Sequence, residues 1–280
     1  MARILKAQVK DLKARFNFGV EGPRGVSEAL RLDRKNGNNK WMETITKEKK
    51  QLFDFDTFEV LNKNEKAPKG YKRIPAFYVF DVKHDLRRKA RFVAGSHMSI
   101  APKEDSYSSV VDHENVRITL FLDEHNDLNV MAAEIGNAYL HAHTKEKVYI
   151  VAGPEFGPDL EGRVMLVLKS LYSLTTFAAR WHEELSKTLR GMEFTPTKAD
   201  HHLWIKDCGT HYEYLCTWVD DIVVASKDAM AILNEFKIKA KYTLKGVGEP
   251  SYYLGGNFGR LNTTLLPGKK STCFLSARIY

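Results

Sequence analysis

Cysteine is scarce in this chain. Cys208, Cys216 and Cys273 are the three thiols among 280 residues. They form no Cys-x-x-Cys pair and their odd number leaves one unmatched, so neither a disulfide framework nor a zinc knuckle is supported and a reducing compartment is expected. Long apolar runs are missing too. No stretch approaches the roughly 20 residues of a membrane span, and the opening MARILKAQVKDLKARF is charged throughout instead of carrying the apolar centre of a signal peptide. The expectation is a soluble, intracellular protein with no membrane partner. There is no P-loop and no nucleotide-binding glycine fingerprint, which leaves the nucleotide hydrolases without support. Internal repeats and low-complexity tracts are absent as well.

What is present suits an ordinary globular chain. With 43% hydrophobic and 11% aromatic residues it can bury a real core, in one large domain or two modest lobes. Lys and Arg number 43 against 35 Asp and Glu, a net charge of +8, which favours a polyanionic partner and equally suits solubility. Residues 1–40 read as a basic arm with a short helix near Val26 to Asp33, interrupted by glycines and by Asn-Gly-Asn-Asn. Trp41, Ile45 and Leu52 fall on one face of a surface helix. Next, IPAFYVFDVKHDLRRKARFVAGSH reads as two strands joined by a basic tip, where Lys83, Arg87, Arg88, Lys89 and Arg91 are opposed only by Asp85. Such a tip is either a solvated turn or an anion-binding element. Ala178, Trp181, Leu185 and Leu189 define a packing helix ending near Gly191, and a further helix from about Asp228 turns Ile232, Leu233 and Phe236 inward.

The unusual feature is EYLCTWVDDIVVASKD, where Asp220 and Asp221 stand between two apolar runs. Alternating strands would meet in a hairpin with carboxylates at its tip. A solvated β-turn accounts for that arrangement, because Asp bonds nearby backbone amides. A divalent-metal site accounts for it too, since hard cations need carboxylate oxygens held close together. The second reading requires another carboxylate, and LNVMAAEIGNAYL offers one. It reads as a buried strand from Leu128 carrying Glu134, a charge that is costly to bury unless it is paired or bound to metal, with the chain then turning into Ala138, Tyr139 and Leu140. His141 with His143 and His201 with His202 lack the spacing that puts two ligands on one helix face, and are read as surface or loop residues.

Taken in order, KARFVAG, VMAAEIGNAYL, LKSLYSL with AARW, WVDDIVVAS and LKGVGEPSYYLGGNF resemble the reverse transcriptase of copia-type LTR retrotransposons, from about Val26 to Phe258. The resemblance implies an α+β right-hand polymerase: an antiparallel palm sheet backed by helices, a fingers lobe and a truncated thumb. It places fingers and palm in 41–258, with fingers at about 41–120 and 145–177 and palm at about 121–144 and 178–258, and the start of a thumb in 259–280. It implies RNA-directed DNA synthesis by in-line phosphoryl transfer with two Mg²⁺ ions, for which Mn²⁺ can substitute, on a primed RNA or DNA template with dNTPs. By motif the metal ligands fall on Glu134, Asp220 and Asp221, with the larger share at Asp220. Tyr139 matches the aromatic steric gate under the incoming sugar, though a core tyrosine would look the same. Gly136, Asn137 and Ala138 would offer backbone amides to the triphosphate, and Lys83, Lys89 and Arg91 match the fingers cations that grip it. Leu254, Gly255 and Gly256 match the primer grip, where a glycine pair is also good turn chemistry. The implied location is cytoplasmic, in a virus-like particle, with the nucleus as the alternative.

Four positions depart from the family pattern. Glu134 replaces an Asp, lengthening the side chain by one methylene, about 1.5 Å. Ser173 stands where Gly is usual, Thr175 where Lys is frequent, and Ser96 precedes His97 where Gly is common. Together they imply impaired synthesis, with a remnant that only binds nucleic acid as the alternative. No cluster of four acidic residues follows Gly256, so no ribonuclease H site is expected, and any synthesis is expected to be distributive.

Overall fold

The computed structural model describes residues 15–95, 110–250, 252–253, 256–261 and 272–277. In chain order the elements are β1 (Arg15–Asn17), β2 (Val20–Gly22), α1 (Val26–Asn36), α2 (Lys40–Asp54), β3 (Phe58–Val60), β4 (Lys72–Arg73), β5 (Ala76–Val82) and β6 (Arg88–Ala94). There follow α3 (His113–Asn126), β7 (Asn129–Ile135), α4 (Ala138–His141), β8 (Val148–Val151), β9 (Val164–Val167) and α5 (Phe177–Gly191). The remainder comprises β10 (Thr195–Pro196), β11 (Leu203–Asp207), β12 (Tyr212–Trp218), β13 (Asp221–Ser226), α6 (Ala229–Lys239), β14 (Leu244–Gly248), β15 (Tyr252–Tyr253), β16 (Gly256–Leu261) and β17 (Thr272–Ala277). Helices are interspersed with sheets that are antiparallel at nearly every pairing, which is the α+β class expected from the sequence.

Two compact units divide these elements. The first takes the described residues up to 95 together with 139–177, and the second takes 110–138 and the chain from 178. The boundary expected between 120 and 121 would fall inside α3, whose buried Val116, Leu120 and Asp123 span it. The apolar run from Leu128 forms β7, which ends at Ile135, and the chain then turns into α4 at Ala138, as expected from the sequence.

The first unit is organised around α2. Trp41, Ile45 and Leu52 are buried there, as their spacing predicts, and α2 packs against β6. Along β6 the inward residues Ala90, Phe92 and Ala94 alternate with Lys89, Arg91 and Val93. Aromatic edges close the core: Trp41 meets Phe80 at 5.6 Å, and Phe156 meets Phe92 at 5.3 Å. One buried carboxylate in this unit has a helix-capping task. Asp33 in α1 accepts the amides of Trp41 at 3.1 Å and Met42 at 2.9 Å, supplying the first turn of α2 with the side-chain acceptor that its N-cap Asn39 does not provide.

The second unit is a six-stranded antiparallel sheet in the order β10-β11-β12-β13-β7-β14. On one face Val130, Tyr214, Cys216, Val223 and Ala225 pack with Val116 and Leu120 of α3. The alternate residues Ala133, Leu215, Ile222 and Val224 are buried as well, so apolar packing continues on both sides of the central strands. α5 buries Trp181, Leu185 and Leu189, and α6 buries Ile232, Leu233 and Phe236, in agreement with the sequence periodicity. Asp228 caps α6 by accepting the Ala231 amide at 2.9 Å. His202, expected at the surface, is 5% exposed. Its ring lies 4.6 Å from that of His182 and its Nδ1 3.3 Å from the Thr217 hydroxyl oxygen. Burial and the neighbouring His182 push its pKa down to about 4.

Candidate active site

Strands β12 and β13 pair antiparallel, with Trp218 opposite Asp221, so Val219 and Asp220 alone form the connecting turn. A two-residue hairpin loop needs a positive φ at its first or both central positions. Here Val219 supplies it, at φ 55°. A β-branched residue in the left-handed region is strained by about 1–3 kcal/mol and persists only where its surroundings hold it. Two anchors do so. The indole N–H of Trp181 donates to the Val219 carbonyl at 2.6 Å, and the Ile135 amide donates to the Asp220 carbonyl at 2.7 Å. The tip carrying the two carboxylates is therefore fixed from both α5 and β7.

Glu134 joins it through the register of the sheet. β13 pairs β7 with Asp221 directly opposite Glu134, which puts their Cβ atoms about 4.5–5.5 Å apart on the same face. The row that is buried at Val130 and Val223 opens to solvent at this end: Glu134 is exposed and both aspartates are half-buried. Glu134 is thus not the buried charge that the apolar sequence around it suggests. It is Asp221 that faces Glu134 across the register, while Asp220 projects from the turn. On the other side of β7, Lys245 of β14 is aligned with Glu134, and its ammonium lies 3.8 Å from Glu134 Oε1. Gly136 is crowded by the same strand and the residue before it, since a Cβ there would meet Lys245 Cε and the Thr243 carbonyl, each at 3.1 Å. Its amide donates to that carbonyl at 2.8 Å. This is the N–H that the resemblance directs at a triphosphate, and here it is engaged by the backbone just before β14. Asn137, at φ 54°, and Ala138 follow it into α4.

In the first unit a second group assembles. Arg91 places its guanidinium 5.7 Å from the centre of the Tyr172 ring, and Tyr172 meets Tyr139 edge-on at 5.2 Å. Tyr139 also tilts against Phe177 at 4.7 Å. Backbone pairing locks this group, with the Ala94 amide donating to the Tyr172 carbonyl at 2.9 Å. Ser173 follows Tyr172 at φ 67°, so the glycine usual in the family has a backbone explanation: the turn requires the left-handed region. Lys89 and Arg91 share the outer face of the β5–β6 hairpin, and Lys83 lies at its turn, where its carbonyl accepts the Leu86 amide. At the tip Arg87 is bound to Asp85 at 2.6 Å. Leu254 and Gly255, like Ser96 and His97, lie outside the described residues, and Gly256 opens β16 opposite Ala277.

Residues 55–265 match the family described as reverse transcriptase (RNA-dependent DNA polymerase). The chain is 31% identical over 200 residues to the Transposon Ty1-LR2 and Ty1-ML2 Gag-Pol polyproteins of Saccharomyces cerevisiae, over 69% of its own length and 11% of theirs. The chain belongs to the copia-type reverse transcriptase family. It spans about a tenth of the length of those curated relatives. Among solved structures it is similar to a foamy viral protease-reverse transcriptase in complex with double-stranded DNA, with a TM-score of 0.48, 13% identity, and coverage of 76% of this chain and 33% of that one.

Within this reverse transcriptase domain, four participants escaped the motif reading. Trp181 was read as a packing residue, and Val219, Lys245 and Tyr172 lie within the motifs without a role of their own. Only a two-residue loop without glycine gave any signal, because Trp218 and Asp221 could be expected to pair and leave Val219 in a glycine-like conformation. No helix among the described residues is long and apolar enough to cross a membrane.

Proposed function

We propose that this domain carries out template-directed nucleotidyl transfer, copying a primed RNA or DNA strand from dNTPs. The observation that carries the reading is the register that sets Asp221 opposite Glu134, beside an Asp220 held in a strained, doubly anchored turn. Three carboxylates make an all-oxygen donor set suited to a hard cation such as Mg²⁺, with Mn²⁺ as a substitute, and Glu134 already draws an ammonium to 3.8 Å. Glu134, Asp220 and Asp221 would hold two such ions, which supply charge stabilisation to the attacking and leaving oxygens.

The chain's own groups position the reactants. Arg91, with Lys83 and Lys89 on the same hairpin, neutralises triphosphate oxygens, and the Asn137 and Ala138 amides add donors. Tyr139, braced by Tyr172 and Phe177, supplies a flat wall against the sugar. Leu254, Gly255 and Gly256 steady the primer end. Residues 41–120 and 145–177 serve as fingers, and 121–144 with 178–258 as palm. A virus-like particle in the cytoplasm is the setting that family membership suggests.

The test is primer extension on a defined RNA template with Mg²⁺ and, separately, Mn²⁺. Asp220→Asn removes a ligand charge at constant volume and is expected to abolish extension while primer–template binding, which rests on counterion release, persists. Extension that survived in that variant would overturn the metal assignment. Binding without extension under either metal in the unaltered chain would instead favour a remnant, a reading supported by Glu at position 134.

A further inference from the structure

The opposite end of β12 carries another group of ligating side chains. Strand β12 runs from Tyr212 to Trp218, so the β11–β12 connection lies about 20 Å along the sheet from the Asp220 turn. It is a tight turn: the Cys208 amide donates to the His211 carbonyl at 3.0 Å, and Gly209 sits at φ 77°. This brings Cys208, His211 and Glu213 together, with one ligand atom from each lying within 4.8 Å of the others.

From this geometry we infer that Cys208, His211 and Glu213 form a zinc site of the second unit, separate from the polymerase carboxylates. Three details support ligation over a chance cluster. His211 Nε2 is shut off from solvent and has no hydrogen-bond partner, a state that costs about 1–3 kcal/mol unless something takes up its lone pair or proton. The other ring nitrogen, Nδ1, lies 3.0 Å from the Thr210 hydroxyl oxygen, the outer contact that orients a ligating imidazole. Glu213 is oriented in turn, because Ser226 Oγ donates to its Oε1 at 2.5 Å while accepting the Asp228 amide at 3.0 Å.

The donor set decides the metal. One sulfur, one imidazole nitrogen and one carboxylate oxygen suit Zn²⁺ in tetrahedral coordination, with water as the fourth ligand, whereas Mg²⁺ demands six oxygens. Bonds of about 2.0–2.3 Å put tetrahedral ligands roughly 3.3–3.8 Å apart, within reach of small side-chain rotations from the present spacing. The Cys208 thiol lies within 4.8 Å of the Glu213 carboxylate. On binding, its S–H bond breaks, the proton leaves to solvent and the thiolate electron pair is donated to the metal. The cation ties the β11–β12 turn to the first residues of β12, stapling one end of the sheet.

The experiment strips the intact chain with chelator and titrates it with Zn²⁺ against a competing chromophore, then repeats the titration with Co²⁺. One Zn²⁺ per chain and a thiolate-to-cobalt charge-transfer band are expected. Cys208→Ser is expected to weaken Zn²⁺ by about 100-fold with loss of the band, and Thr210→Val by about 10-fold, the range for ligand support. Asp220→Asn is expected to leave the Zn²⁺ affinity unchanged. Failure to bind Zn²⁺ at micromolar concentration, a cobalt complex without the thiolate band, or affinity unchanged in Cys208→Ser would overturn the assignment. Thr210→Val keeps all three ligands, so its intermediate loss guards against a trivial folding defect.

Discussion

Replacing Val219 with glycine separates the strain in the Asp220 turn from its purpose. At φ 55° valine carries about 1–3 kcal/mol of strain. Glycine removes that strain and returns about 0.5–1 kcal/mol as extra freedom of the unfolded chain. Val219 is only half-buried, so little apolar packing is lost, and both anchors reach carbonyl oxygens that the substitution leaves in place. The net expectation is a gain of about 0.5–2 kcal/mol for the second unit, at about 2–4 °C in midpoint per kcal/mol. Urea unfolding followed by tryptophan fluorescence reads it, since Trp181, Trp204 and Trp218 all belong to that unit. Val219→Ala, which sheds the branched carbons and stays an L-residue, should fall between. Extension should move the other way, because a glycine turn lets the Asp220 carboxylate wander and misplacement near 1 Å costs roughly 10²-fold in rate. A Val219→Gly protein less stable than the parent, or an alanine variant more stable than the glycine one, would refute the strain argument.

Glu134→Asp is expected to raise single-turnover extension roughly 10- to 10²-fold while primer–template affinity hardly moves; an unchanged rate in an otherwise active protein would show that β7 already seats the longer side chain or that Glu134 is no ligand. Ser173→Gly should stabilise the first unit by about 0.5 kcal/mol, the left-handed penalty of an exposed serine less the entropy of glycine, read as a higher urea midpoint. His202 gives the second unit a pH dependence. Its pKa is depressed to about 4 in the fold against about 6.5 unfolded, so between these values the unfolded chain binds more protons. Stability is full above about pH 6.5 and falls toward pH 4, by on the order of 2–3 kcal/mol. His202→Gln should flatten that slope in unfolding measured at a series of pH values.

How much of this could be read from the sequence depends on which interactions have a local signature. Amphipathic spacing located α2, α5 and α6 because each buries one stripe, and Trp41, Trp181 and Phe236 lie on those stripes. Alternation and the paired aspartates located the β12–β13 hairpin for a similar reason. Glu134 could be linked to the Asp pair only through motif order, since its pairing with Asp221 joins residues 87 apart in sequence. Its exposure was misjudged because the apolar run of β7 is buried by α3 at one end of the strand and released at the other, and no local pattern encodes where a packed helix stops. His202 was misplaced likewise: its burial comes from His182 of α5 and Thr217 of β12, neither visible from the dipeptide itself.

The same long-range pairing bears on why a glutamate can stand at position 134. An exposed carboxylate beside two others would repel them, yet this one is flanked across β7 by Lys245 of β14. Both partners of that ion pair are about half exposed, so it contributes no more than about 1 kcal/mol. Its importance lies in direction. A longer side chain gives Glu134 the reach to lean toward β14, whereas an aspartate would hold its charge closer to the strand and to Asp221 opposite. Position 134 is therefore contested between a cation on the Asp221 side and the ammonium on the other. The contest has a measurable signature: Lys245→Met should tighten Mn²⁺ binding to the carboxylates when Glu134 is present and have much less effect when position 134 is Asp. The two changes share a partner and so should fail to add. Equal effects of Lys245→Met in both backgrounds would mean that the ion pair does not draw Glu134 away from the metal position.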